Sequence, residues 1–153
     1  MPDTMLTSVV HGTSMQAEYL NRLSSVRHIG PFARIEGAAG QNTWVHFPIP
    51  TPAVAGNGKL RAGAVVLTFR TRTFEAWVHE IVLYDGATTV AEYRDLHLSG
   101  EHPSERFDVP GHPEVQWALN VTVGVQFGPD PPTIQAMTME FIAAGCEFIQ
   151  AAG

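Results

Sequence analysis

The sequence predicts an all-β sandwich, and three observations carry that reading. The first is the stretch from Val115 to Phe127. Its odd positions are Val115, Trp117, Leu119, Val121, Val123, Val125 and Phe127, and its even positions are Gln116, Ala118, Asn120, Thr122, Gly124 and Gln126. That alternation marks a strand with one buried face, and its side chains are of the β-branched and aromatic kind that strands favour. The second observation is the spacing of Gly, Pro, Asn and Asp breakers, which cuts the chain into short extended segments at intervals of roughly 8–12 residues. The third is that no stretch repeats apolar residues at helical spacing over more than one turn. A two-sheet, jelly-roll-like antiparallel sandwich follows, with a closed barrel as the alternative. No fixed-period repeat points to a propeller or a solenoid.

The 153 residues are read as a single domain, 1–153. A chain of this size buries about 70% of the surface its unfolded form exposes, so it needs no covalent staple. Its single cysteine, Cys146, excludes an internal disulfide, as befits a reducing compartment. No basic residue precedes an apolar run at the N-terminus, unlike a secretory signal. No segment reaches the ~20 apolar residues of a membrane span. A cytoplasmic location without membrane contact is the expectation. Nine basic residues stand against fifteen acidic ones for a net charge of −6. A closest basic group of only Arg61, Arg70 and Arg72 gives no footprint for a phosphate backbone, so nucleic acid is not an expected partner.

Taken in order, Thr7–Tyr19 reads as two short strands broken at Gly12-Thr13. Leu20–Gly30 is ambiguous, with one helical spacing at Leu20 and Leu23 and a stop at Gly30-Pro31. Phe32–Glu36 is a strand. Thr43–Ile49 is another, demoted to an edge by Pro48, Pro50 and Pro52. Gly56-Asn57-Gly58-Lys59 lacks the ending of a phosphate-binding loop and reads as a turn. Leu60–Thr73 places Val65, Leu67 and Phe69 on one face. Ala76–Tyr84 carries apolar residues on both faces, as a central strand does. Asp85-Gly86 is a hairpin turn leading into Thr88–Tyr93. Arg94–Gly111 is rich in loops, with a short strand at Phe107 and Val109. After Val115–Phe127, the breaker Gly128–Pro132 predicts a hairpin back into Thr133–Ile142, with Val123 opposite Met137, Val121 opposite Met139 and Leu119 opposite Phe141. Gly145 is expected to end that strand, and Cys146–Gln150 to form a terminal one.

Several pieces together resemble a bacterial family of single-domain proteins of unknown function. They are VVHGTSMQAE near the start, then WVHFPIPTP, IVLYDG, LHLSGEH and the closing AAGCEF. The resemblance implies a β-sandwich and no particular activity.

Two groups of residues carry possible chemistry. Asp95, His97, Glu101 and His102, with His112 further on, supply imidazole and carboxylate of the kind that binds transition metals. Their spacing matches no zinc motif, so no cofactor is expected, and a metal at His97 and His102 is the alternative. The second group is an aromatic and polar platform of Trp44, His46, Trp77 and His79, with Arg70 and Arg72 nearby, suited to a small molecule or a carbohydrate. Tryptophan on an alternating strand usually fills a core, so Trp77 and Trp117 are expected inside. Cys146, in an apolar strand beside Glu147, reads as a buried inert thiol. No G-x-S-x-G sequence is present, and Asn120-Val121-Thr122 falls mid-strand, where a glycosylation sequon means nothing. The ligand-binding candidates are therefore Trp44, His46, Asp95, His97, Glu101 and His102.

The expected function is a non-enzymatic binding or self-association module. A small metal-dependent or carbohydrate-active jelly-roll enzyme is the alternative. Trp44 beside a proline-rich edge suggests a homo-oligomer.

Overall fold

The computed structural model describes residues 4–51, 60–130 and 133–150. The strands are β1 (Thr4–His11), β2 (Gln16–Ala17), β3 (Leu23–Ile29), β4 (Phe32–Gly37), β5 (Asn42–Ile49), β6 (Leu60–Thr71), β7 (Ala76–Asp85), β8 (Thr88–Tyr93), β9 (Glu101–Asp108), β10 (Leu119–Phe127) and β11 (Thr138–Gln150). One antiparallel sheet runs β3-β4-β11-β6-β9, with β1 also on β11, and the other runs β2-β5-β10-β7-β8. β4 pairs with the first part of β11 and β1 with the rest. The two sheets form a sandwich and not a closed barrel. Among the described residues no helix is long and apolar enough to cross a membrane.

The core is the set of inward residues that alternation marks. Val45 and Phe47 of β5, Ile81 and Leu83 of β7, and Val121, Val123 and Val125 of β10 pack against Val65, Leu67 and Phe69 of β6 and Met139, Phe141 and Phe148 of β11. Phe47 and Phe141 meet from opposite sheets, ring centres 5.7 Å apart.

The expected hairpin does not form. β10 pairs with β5 and β7, and β11 pairs with β6, β4 and β1 in the other sheet. Leu119, Val121, Met139 and Phe141 still share one core cluster, because they approach across the sandwich. Alternation fixes the buried face of a strand and leaves its neighbour open. The chain between them carries a short 3-10 turn, Ile134–Met137, before β11 begins in the other sheet.

Three assignments also differ from expectation. β5 is not an edge strand, since it lies between β2 and β10. β2 pairs only with Val45 and His46, so Pro48 sits where the ladder on that side is open. Gly145 does not break β11; it lets β1 pass, because a Cβ there would come within 2.3 Å of the Ser8 carbonyl oxygen. β9 runs through Glu101–Pro103, part of the stretch read above as rich in loops. The ambiguous Leu20–Gly30 stretch resolves into a 3-10 turn, Leu20–Arg22, followed by β3. The turn expected at Gly56–Lys59 lies outside the described residues.

A row of charges crosses the outer face of the six-stranded sheet in register: Arg27 on β3, Arg34 on β4, Glu140 on β11, Arg70 on β6 and Glu101 on β9. Glu140 is buried, with 1% exposure. One of its oxygens accepts from Arg34 at 3.0 and 2.8 Å, and the other from Arg70 Nε at 2.6 Å. A carboxylate can be buried here because both oxygens are held by guanidinium groups.

Candidate functional site

The outer face of the five-stranded sheet carries most of the aromatic platform. Val45, Phe47 and Ile49 point into the core from β5, so Trp44 and His46 point outward. On β10 the outward residues are Asn120, Thr122, Gly124 and Gln126, opposite Pro48, His46, Trp44 and Asn42 in that order.

β7 departs from simple alternation, and the departure builds the site. Gly124 pairs with Glu80 while Val125 pairs with Val78, so His79 is an extra residue in β7. Val78 and Ile81 are both fully buried, and His79 and Glu80 between them are not. A bulge of this kind re-aims side chains; here it brings His79 and Glu80 to the outer side together. The His79 carbonyl accepts from the Leu96 N–H at 2.9 Å, and Val78 and Leu98 exchange hydrogen bonds.

Trp44 and His79 meet over Gly124, with ring centres 5.7 Å apart and planes at 60°. A Cβ on Gly124 would lie 2.8 Å from both His79 Nε2 and Trp44 Cζ3, so only glycine leaves room for the two rings. Burial holds His79 below its ordinary value of 6.5, against an opposing pull from Glu80. The ring is therefore neutral at pH 7 and offers one donor and one acceptor.

These residues open into a cleft of about 440 Å³ lined by Trp44, His79, Glu80, Val82, Tyr84, Glu92, Arg94 and Asp95. Asp95 reaches it because the chain turns back after β8. Its backbone is in the left-handed region, φ 56°, and Leu96–Leu98 then rejoins β7. Arg94 is shared between Glu80 at 3.2 Å and Glu92 at 2.9 Å. One arginine thus faces three carboxylates, and the cleft is acidic.

His46 stands beside this cleft in a chain of hydrogen bonds. Its Nε2 meets Glu18 Oε1 at 3.1 Å and its Nδ1 meets Thr122 Oγ1 at 2.9 Å. A carboxylate only accepts, so in the neutral ring Nε2 carries the proton and Nδ1 accepts from the Thr122 hydroxyl. Thr122 Oγ1 in turn accepts from Asn120 Nδ2 at 3.0 Å.

The other candidates separate. His97 is aimed outward, as Leu96 and Leu98 on either side predict, and it stacks on Trp77 with centroids 4.4 Å apart. Trp77 therefore lies on the outer face and not in the core. Its neighbour Val78 takes the inward place. Glu101 and His102 belong to β9 in the other sheet. His102 stacks on Phe69 with centroids 5.0 Å apart, shares a hydrogen bond with Glu105 at 2.7 Å, and meets the Ser99 carbonyl. His112 pairs with Asp108 at 3.2 Å. Arg70 is engaged by Glu140 on that same sheet, and Arg72 is exposed beyond the end of β6. Among the described residues no group of three or more His, Cys, Asp or Glu is arranged to hold a metal ion. The sequence reading missed Glu80, Tyr84, Glu92 and Arg94. Glu80 faces outward by alternation with the buried Ile81 and Leu83, and the bulge is what brings His79 to the same side, which no local signal announces.

The fold and this open aromatic face define a jelly-roll-like β-sandwich with a polar cleft on one sheet. The chain belongs to the family of unknown function DUF6623, whose profile matches residues 1–152. No curated protein matches the sequence. Among solved structures, a family 29 carbohydrate-binding module from Piromyces equi is similar at 12% identity, covering 94% of this chain and 91% of its own, with a TM-score of 0.50. The second N-terminal cellulose-binding domain of the Cellulomonas fimi β-1,4-glucanase C is similar at 11% identity, covering 91% and 86%, with a TM-score of 0.50. A Stig cyclase from Fischerella sp. TAU is also similar, at 9% identity over 95% and 89% of the two chains, with a TM-score of 0.48. At these identities the likeness to the two carbohydrate-binding domains shows the fold alone.

Proposed function

We propose that this protein is a carbohydrate-binding module that takes a sugar chain across the outer face of its five-stranded sheet. The observation that carries the reading is the Trp44 ring, set over Gly124 and against neutral His79 at the wall of an open polar cleft. A sugar ring has an apolar face of C–H groups that packs on an indole, and a rim of hydroxyls that needs donors and acceptors. Tyr84, His79, Glu80, Glu92 and Asp95 supply that rim. The fold shared with two carbohydrate-binding domains supports the reading.

The charge of the cleft narrows the class. Arg94 is already held by Glu80 and Glu92, so an acidic glycan would meet uncompensated carboxylate. Neutral glycans are the expected ligands. The test is affinity electrophoresis and calorimetry with soluble neutral β-glucans, xylan and mannan, and with a polyuronate as control. Binding to at least one neutral polysaccharide is expected, weakened about tenfold or more in Trp44→Ala, which is about 1.4 kcal/mol. The reading fails if no neutral polysaccharide binds, or if Trp44→Ala binds as tightly as the wild type.

A further inference from the structure

We infer that Trp117, at the edge of the five-stranded sheet, forms a second binding site for one neutral sugar ring, separate from the Trp44 cleft. Alternation places Trp117 inside, yet the side chain is 78% exposed. The cause is Asp85. Its buried carboxylate accepts from the backbone N–H groups of Gln116, Trp117 and Ala118 at 2.6, 2.9 and 3.1 Å. Those bonds draw the chain into a turn, and the ladder of β10 starts only at Leu119.

The backbone that carries the exposed indole is also held in place. The Gly86 N–H donates to the Ala118 carbonyl at 2.8 Å, tying the turn to the β7–β8 hairpin. Gly86 has φ +57° and lies under the indole, where a Cβ would sit 3.2 Å from Trp117 Cδ1. A large apolar ring displayed to water on a backbone fixed at four hydrogen bonds is pre-organised for a ligand. That backbone has little conformational freedom left to lose when the ring is covered.

The indole forms one wall of a hollow of about 260 Å³, with Thr88, Thr89 and Val90 of β8 on one side and Pro113, Glu114 and Gln116 on the other. That is below the roughly 300–1,000 Å³ of sites for drug-sized ligands and admits a single ring. The charged groups of its rim are already engaged. Both Asp85 oxygens are used by the backbone, and Glu114 meets Arg61 at 3.6 Å. What remains for a ligand is an indole, two threonine hydroxyls and the Gln116 amide. A pyranose, apolar on its face and hydroxylated at its edge, matches that set. An anionic ligand would meet the Asp85 and Glu114 carboxylates there.

The experiment follows the indole N–H resonances of the three tryptophans in the intact protein during titration with D-glucose, D-mannose, D-galactose and D-xylose, with D-glucuronate as control. Trp117→Phe assigns the Trp117 signal. At least one neutral sugar should move that signal saturably, and the same shift should persist in Trp44→Ala. Thr88→Val combined with Thr89→Val, which keeps the indole, should weaken it severalfold. The inference is overturned if no neutral sugar moves the Trp117 signal. It is also overturned if the signal instead shifts with protein concentration, which marks the indole as a contact between copies. Polysaccharide binding that depends on Trp44 would stand in either case, and its failure would leave a sugar response at Trp117 untouched.

Discussion

Glu140 is the residue on which charge and burial act most strongly against each other. Burial pushes its carboxyl up, but the hydrogen bonds and charges of Arg34 and Arg70 outweigh it and hold the group below its ordinary 4.5. A carboxyl lowered on folding adds stability above its unfolded value and loses it as pH falls through the folded one. Glu140→Gln should therefore cost about 1–3 kcal/mol near pH 7, less than a fully buried pair because the arginines reach water. Thermal melts from pH 7 down to pH 3 should show the gap between variant and wild type closing below pH 4.5. A gap that stays constant with pH would remove the ionic explanation. His102 is a second case at this scale. Its stack on Phe69 and its bond to Glu105 make it a structural histidine. His102→Ala should lower stability by about 1 kcal/mol and leave polysaccharide binding unchanged, as parallel melts and calorimetry would show.

At the scale of elements, the central strand β10 and the bulged strand β7 decide where the site lies. Leu119 is 3% exposed where β10 enters the core. Leu119→Ala should cost about 2–5 kcal/mol in chemical denaturation, and a cost below ~0.5 kcal/mol would contradict its burial. Gly124 tests the outer face of the same strand. Gly124→Ala should push Trp44 and His79 apart, with the cost of about 1–3 kcal/mol typical of overpacking. Tryptophan emission should shift and affinity for the neutral glycan should fall severalfold. Unchanged emission and affinity would mean that the ring pair yields without disturbing the cleft.

At the scale of the whole molecule, Cys146 reports on opening of the sandwich. Its thiol is fully buried, and burial pushes it up to about 12. A thiol that is neither ionised nor accessible does not react. Labelling with a thiol-reactive dye should be negligible in the native protein and should rise along the unfolding curve, since β11 lies at the centre of the core. Fast labelling under native conditions would show that β1 and β11 separate locally.

The sequence alone determined the fold class, most of the buried faces and the burial of Cys146. Period-2 alternation states which side chains leave water, and hydrophobic burial obeys it for Val121, Val123 and Val125 and for Val65, Leu67 and Phe69. It also placed Trp44, His46 and His79 together as a platform. Only the tertiary structure decided which strand lies beside which. β10 and β11 carry complementary apolar faces, and such faces fit equally well side by side or across a core. The same holds for the sites. Asp95 joins Trp44 and not His102 because a left-handed turn sends Leu96–Leu98 back along β7. Trp117 is outside because a carboxylate thirty-two residues away captures its backbone. Both outcomes rest on hydrogen bonds between positions distant in the chain, and local pattern carries no record of them.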